Sequence, residues 1–229
     1  MRLKKLCENK SKILIVSLPA NSLELAKAAE AAGADALKIH INIVHRASGK
    51  EFKSWQEEKE NIFKILSSIK IPIGIVPGAG KVIATLEELK EMEKLGIDFY
   101  DIYLEDHPAC WFQHNTSITR MVALSSSLKD IDLLPLFSYW GIEVVEASCV
   151  EHNRYGDRLK ASDLLMYHQI VQFTPLPVIV PTQLHILPEE LPVLFKTGIK
   201  GIMIGAIVTG EDTDNFYEKV SGFAKVLKE

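Results

Sequence analysis

Four stretches of the chain repeat one pattern of apolar and polar positions. In each, a run with helical apolar periodicity ends at a glycine, and a mostly apolar, strand-like run starts one or two residues later. The stretches are Gly33-Ala34-Asp35-Ala36-Leu37-Lys38-Ile39-His40-Ile41-Asn42, Gly96-Ile97-Asp98-Phe99-Tyr100-Asp101-Ile102-Tyr103-Leu104-Glu105, Gly141-Ile142-Glu143-Val144-Val145-Glu146-Ala147-Ser148 and Gly198-Ile199-Lys200-Gly201-Ile202-Met203-Ile204-Gly205. Aligned on the glycine, Lys38, Asp101, Glu146 and Met203 share one position, and His40, Tyr103, Ser148 and Gly205 share the position two residues on. Side chains alternate faces along a strand. The aliphatic residues between these positions therefore pack under helices, and the polar set faces the other way. In a closed parallel barrel that other way is the interior, where alternate strands supply one layer of four side chains, usually branched aliphatics. Here three of the four are ionisable.

The rest of the chain supplies the intervening elements. A first strand, Ile13 to Ser17, precedes a helix from Leu23 to Ala32 with Ser22 or Asn21 as its cap. A polar loop, 45–50, leads to a helix over Trp55 to Ile69, then a third strand, Ile71 to Val76, closed by Pro77-Gly78-Ala79-Gly80. Thr85 and Glu88 form a capping box for the next helix. A short helix is expected within Asn115 to Arg120, a fifth strand over Met121 to Ser125, and a helix capped by Asp130 or Asp132 with Pro135 in its first turn. A rival parse makes Leu133 to Phe137 the strand; the first keeps Gly141 in register and leaves room for the crossover helix that parallel strands need. A helix over Ser162 to Gln172, a seventh strand over Pro177 to Pro181, a helix from Pro188 whose first turn Pro192 distorts or delays, an eighth strand over Gly201 to Ile207 and a last helix to Lys228 complete the reading. The expected fold is a single (β/α)8 TIM barrel spanning residues 1–229, organised as a fourfold βαβ repeat. The rival is a doubly wound open sheet, and repetition through both halves favours the barrel.

Composition narrows the partners. At 229 residues the chain is short of a typical ~250-residue barrel but within its range. A net charge of −4 gives no general attraction to nucleic acid or to anionic membranes, and neither is expected as a partner. Cys7, Cys110 and Cys149 have no zinc-site spacing, which fits a reduced, cytoplasmic protein. The basic start of the chain runs into an apolar stretch too short for a signal peptide, and no apolar run reaches the ~20 residues of a membrane span. A homo-oligomer is compatible with all of this.

The last quarter carries a resemblance. The seventh strand, its loop and helix, and Gly198 to Ile207 resemble the phosphate-binding (ribulose-phosphate-binding-like) β/α barrels that act on sugar phosphates, including the N-acetylmannosamine-6-phosphate 2-epimerases. In that family a glycine-small pair ending strand eight lets backbone N–H groups meet a substrate phosphate. Gly205-Ala206 matches the pair, whereas Pro181-Thr182-Gln183 replaces the glycine usual after strand seven. The resemblance implies a small phosphorylated metabolite as ligand. A phosphate site is expected from Thr182, Gly205, Ala206, Thr209 and Gly210, with a helix start after strand eight aiming its donors at the anion. Flavin mononucleotide would fit the same phosphate site; no nicotinamide motif is present.

The catalytic candidates are Lys38, Glu146 and Asp101, with Lys38 and Glu146 as an acid/base pair and Asp101 holding the lysine. Candidate substrate-binding residues are His40 and Asn42 on the second strand, Arg46 and Arg154 in polar loops, Glu105 after the fourth strand, Ser148, and Gln183. Glu105-Asp106-His107 offers acid and imidazole groups, but adjacent side chains alternate in direction and no metal is assigned. The expected activity is isomerase, epimerase or lyase chemistry on a sugar-phosphate-like substrate. The alternatives are a Schiff-base aldolase at Lys38 and a non-catalytic sensor of a phosphorylated metabolite or flavin mononucleotide.

Overall fold

The computed structural model describes residues 2–45, 47–127, 131–210 and 213–228. Eight parallel strands close into a barrel: β1 (Ile13–Ser17), β2 (Ala36–His40), β3 (Ile73–Val76), β4 (Phe99–Tyr103), β5 (Thr119–Ala123), β6 (Val144–Glu146), β7 (Val178–Pro181) and β8 (Gly201–Ile204), with β8 pairing back to β1. The helices are α1 (Arg2–Asn9), α2 (Leu23–Ala32), α3 (Trp55–Ser68), α4 (Leu86–Leu95), α5 (Ala161–Phe173), α6 (Leu191–Phe195), α7 (Ala206–Thr209) and α8 (Thr213–Lys228). None of the described helices is long and apolar enough to cross a membrane.

The repeat has a physical cause. Gly33, Gly96, Gly141 and Gly198 all have positive φ, between 73° and 103°, so each turns the chain out of a helix or turn at a conformation other residues resist. Two residues later the backbone N–H of Asp35, Asp98, Glu143 and Lys200 donates to the preceding strand at Leu14, Ile73, Arg120 and Val178, at 2.8–2.9 Å. Three of these residues add a carboxylate that accepts from the same preceding strand: Asp35 from Leu14 N–H at 3.0 Å, Asp98 from Ile73 at 3.1 Å and Glu143 from Arg120 at 3.4 Å. Each even strand is thus locked to its predecessor at the same offset. That lock brings residues at equal distance from the glycine to one level of the barrel.

Alternation divides the core in two. Leu37, Ile39, Ile75, Tyr100, Val122, Val145, Val180 and Ile202 face outward into the layer under the helices. Ile13, Ile15, Ala36, Phe99, Met121, Val144, Ile179 and Met203 fill the lower interior, which Leu3 and Cys7 of α1 close from below. The sequence reading led from the basic N-terminus straight to the first strand and missed α1, because eight polar-rich residues hold only enough apolar surface for a plug. Other departures are local. The expected helix within 115–120 is displaced to a 3-10 helix at Ala109–Gln113, since Thr119 and Arg120 already pair in β5. The helix expected after β5 is a 3-10 helix, Ile131–Leu136, containing Pro135, which has no N–H to donate; the proposed cap Asp130 lies outside the described residues. A 3-10 turn, Pro188–Glu190, precedes the short α6, with Pro192 in its first turn. The eighth strand ends at Ile204 rather than Ile207 because α7 begins at once. Two hairpins rise from the C-terminal rim, Ile43–Val44 with Glu51–Phe52 and Gly78–Ala79 with Val82–Ile83.

Candidate active site

A cavity of about 150 Å³ opens at the C-terminal end of the barrel. An apolar cavity of that size elsewhere accommodates a benzene-sized ligand. Lys38, Asp101 and Glu146 meet at its floor, only 6 %, 2 % and 5 % exposed. Lys38 Nζ donates to Asp101 Oδ2 at 2.7 Å and, more weakly, to Glu146 Oε2 at 3.4 Å. Met203, at the fourth equivalent position, supplies the apolar remainder of the floor.

Two carboxyls and one ammonium in a dry site cannot all be ionised without leaving a net buried charge. Burial, then the neighbouring Asp101, push the Glu146 carboxyl well above its ordinary range. Lys38 approaches Glu146 at 3.4 Å, farther than the 2.7 Å that separates it from Asp101. Asp101 Oδ1 is buried and has no donor among the described residues unless Glu146 supplies one. Burial lowers the Lys38 ammonium, but Asp101 and Glu146 outweigh it and hold the lysine above its ordinary value. The floor thus gathers one ammonium and two carboxyl groups in a dry site.

His40 stands on the same interior face, one pleat nearer the mouth. Asn21 fixes its backbone, accepting from His40 N–H at 3.1 Å and donating to its carbonyl at 2.7 Å. The imidazole Nε2 lies 3.2 Å from Ser17 Oγ, while Nδ1 is buried and unpartnered among the described residues. Burial, then His45 and Lys38, hold His40 well below the usual imidazole range. His45, on the first hairpin, sits against His40 and Phe52 and is lowered to about 4 by burial and the Lys38 charge. Both rings are neutral at physiological pH and act as hydrogen-bonding groups rather than charges.

The remaining sequence candidates divide. Ser148 lines the cavity, its Oγ 3.1 Å from the Tyr103 hydroxyl. Gln183 lines it too, but its amide is a brace: it accepts from Val150 N–H at 3.1 Å and donates to Ser148 O at 3.3 Å and to the Tyr155 hydroxyl at 2.6 Å. Asn42 is drawn away at φ 55°, its amide donating to Pro77 O, and it does not line the cavity. Arg154 is also turned aside, held by both oxygens of the buried Asp163 at 2.8 and 3.1 Å. Glu105 is exposed on a 3-10 turn outside the cavity, and His107 packs against Tyr100 and Phe112; no metal-ligand cluster exists among the described residues. Arg46 lies outside the described residues. Ser17, His45, Tyr103 and Tyr155 line the cavity although they were not singled out. Ser17 and Tyr103 had a signal: both extend the inward alternation of their strands by one step.

At the expected phosphate end, Gly205 and Ala206 line the cavity beside Thr182, whose hydroxyl accepts from Gly205 N–H at 3.0 Å. A Cβ added at Gly205 would meet Ser17 at 3.5 Å, an ordinary contact, and its φ of −143° suits any residue. Packing and backbone conformation therefore do not require glycine there. Thr209 and Gly210 do not take part: their N–H groups return to Gly205 O and Ala206 O at 3.0 Å within α7, and neither lines the cavity.

Solved structures share this architecture. At 16 % identity, a phosphoribosyl anthranilate isomerase from Thermus thermophilus matches 94 % of this chain and 98 % of its own, with a TM-score of 0.67. A mutant tryptophan synthase α-subunit from Pyrococcus furiosus matches 93 % and 97 % at 15 % identity, TM-score 0.69. An N-acetylmannosamine-6-phosphate 2-epimerase from Clostridium perfringens matches 85 % and 86 % at 18 % identity, TM-score 0.59. The chain has the (β/α)8 barrel fold of these enzymes. No protein-family model and no curated protein sequence matches it.

Proposed function

We propose that this barrel is an enzyme acting on a small phosphorylated substrate by proton transfer, in isomerase, epimerase or lyase chemistry. The observation that carries the reading is the buried Lys38–Asp101–Glu146 floor beneath an open cavity at the strand ends where barrel active sites are built. With substrate bound, the carboxylate of the pair takes a proton from the carbon next to a carbonyl. Glu146 delivers its own proton to the carbonyl oxygen, and the Lys38 ammonium stabilises the negative charge developing there. Return of the first proton to the neighbouring carbon, with Glu146 taking up the other enediol hydroxyl proton, gives an isomer. A proton delivered to the opposite face of the original carbon by the Lys38 ammonium, which is restored by the proton held on the first carboxyl, gives an epimer once Glu146 takes back the oxygen's proton. Cleavage of a carbon–carbon bond in place of carbon–hydrogen gives the lyase outcome. Glu146 thus acts first as an acid.

The substrate phosphate is placed at Gly205 and Ala206. The N–H groups of Ala206 and Ile207 begin α7 without helical acceptors, and Gly205 leaves their approach open. Schiff-base chemistry at Lys38 ranks second, since a lysine held charged by Asp101 is a poor nucleophile.

The test uses Lys38→Met protein to trap substrate. Small molecules released from it by denaturation are analysed by mass spectrometry and then incubated with the wild type. The expected result is a phosphorylated compound that the wild type isomerises or cleaves. An unphosphorylated ligand, or a phosphorylated one that the wild type binds and leaves unchanged, overturns the reading; the latter makes the protein a sensor.

A further inference from the structure

The cavity wall is divided by chemistry along the strand order. Strands β6, β7, β8 and β1 are neighbours and bring polar groups to the mouth, among them Ser148, Tyr155, Thr182 and Ser17. Strands β2 to β5 are neighbours on the opposite side, and there the wall is aliphatic: Ile43, Val44, Ala47, Val76, Ala79 and Ile102. Above the floor, three polar side chains belong to that half, and His40 is the deepest of them, buried with Nε2 toward Ser17 and Nδ1 unpartnered among the described residues. Tyr103 directs its hydroxyl to Ser148, and His45 gives Nδ1 to Ser48 at 3.0 Å. Val44 stands 65 % exposed on the first hairpin while lining the cavity, and Ile43 beside it is half-buried. An aliphatic wall left open over a charged floor gains from a ligand that covers it, at roughly 25 cal/mol per Å² removed from water.

Resting on the phosphate reading above, we infer that the substrate carries an apolar or aromatic group at the end opposite its phosphate, rather than a fully hydroxylated sugar chain. The phosphate lies at Gly205, the reacting carbons lie over Lys38 and Glu146, and the far end rests on the hairpin wall of Ile43, Val44 and Ala79. A hydroxyl placed on that wall loses its hydrogen bonds to water and finds no partner in return.

Titration calorimetry with three probes, inorganic phosphate, ribose 5-phosphate and phenyl phosphate, tests this on the wild type and on Val44→Ser. Phenyl phosphate is expected to bind about tenfold more tightly than ribose 5-phosphate, the effect of some ~55 Å² of additional apolar burial. Val44→Ser, an exposed substitution that the hairpin tolerates, is expected to weaken phenyl phosphate about three- to tenfold and to leave inorganic phosphate within about twofold. Ribose 5-phosphate binding as tightly as phenyl phosphate, or phenyl phosphate indifferent to Val44→Ser, overturns the inference and leaves the phosphate reading standing. Failure of all three probes overturns the phosphate reading itself, and the inference falls with it.

Discussion

Glu146→Gln separates a protonated Glu146 from an ion-paired one. Glutamine is nearly isosteric with the protonated acid and, like it, neutral. If Glu146 holds its proton in the folded protein, the substitution leaves stability within about 1 kcal/mol below pH 4.5, the scale of one rearranged hydrogen bond, and at pH 7 makes the protein more stable than the wild type, which must take up a proton to fold. If Glu146 were ionised and paired with Lys38 at 3.4 Å, removing one partner of a buried pair would cost about 3–5 kcal/mol. The pH dependence sharpens the distinction. Unfolded, Glu146 loses its proton near its ordinary 4.5; folded, it keeps it to a much higher pH. The native state then binds one proton more than the unfolded state, so the group's contribution is complete below pH 4.5 and falls by about 1.4 kcal/mol per pH unit until the raised value is reached. His40 and His45 have the opposite sign: their depressed values contribute stability present above about pH 6.5 and lost as pH falls, and they are silent between pH 7 and 8. Urea unfolding at pH 7.0, 7.5 and 8.0 should show a negative slope in the wild type that Glu146→Gln removes. Turnover in the variant should fall about 10²- to 10⁴-fold, the usual size of a lost acid-base group. Parallel pH profiles with a loss of about 3–5 kcal/mol at pH 7 would refute a protonated Glu146.

Lys38→Met should reduce turnover by about 10³-fold or more while circular dichroism stays native, because it removes the charge facing the developing enolate and keeps much of the side-chain volume. Unchanged turnover removes Lys38 from the chemistry. Gly205→Val should weaken a phosphorylated ligand at least about tenfold more than its dephosphorylated analogue, since a Cβ there meets Ser17 at an ordinary 3.5 Å and the effect falls on anion approach. Equal losses would indicate a packing defect. Arg154→Leu should lower the melting midpoint, by stranding the buried Asp163, and leave phosphate affinity within about twofold; a selective loss of phosphate binding would return Arg154 to the site.

The barrel was legible because its repeat is written in local chemistry. The four glycines need positive φ whatever their tertiary surroundings, and the strict alternation after them fixes which side chains turn inward. That was enough to bring Lys38, Asp101 and Glu146 to one level. The carboxylates of Asp35, Asp98 and Glu143, which hold the register, went unread because a polar residue at a strand entrance looks like any solvated loop position. Loop candidates fared worse, and for a common reason. Asn42, Arg154 and Gln183 are polar groups whose partners, Pro77, Asp163 and Tyr155, are brought to them by tertiary folding and consume their hydrogen bonds. Sequence position told where these side chains start but not what would claim them. The upward shift of the Glu146 carboxyl was likewise invisible, since it follows from burial beside Asp101 and not from spacing.

The most direct test of the account is a crystal of the wild-type protein soaked in inorganic phosphate. The account places an anion within hydrogen-bond distance of the Ala206 N–H, beside Gly205 and Thr182 at the ends of β7 and β8, above the Lys38–Glu146 floor. Density for phosphate at another position, with the Gly205–Ala206 rim empty, would contradict it.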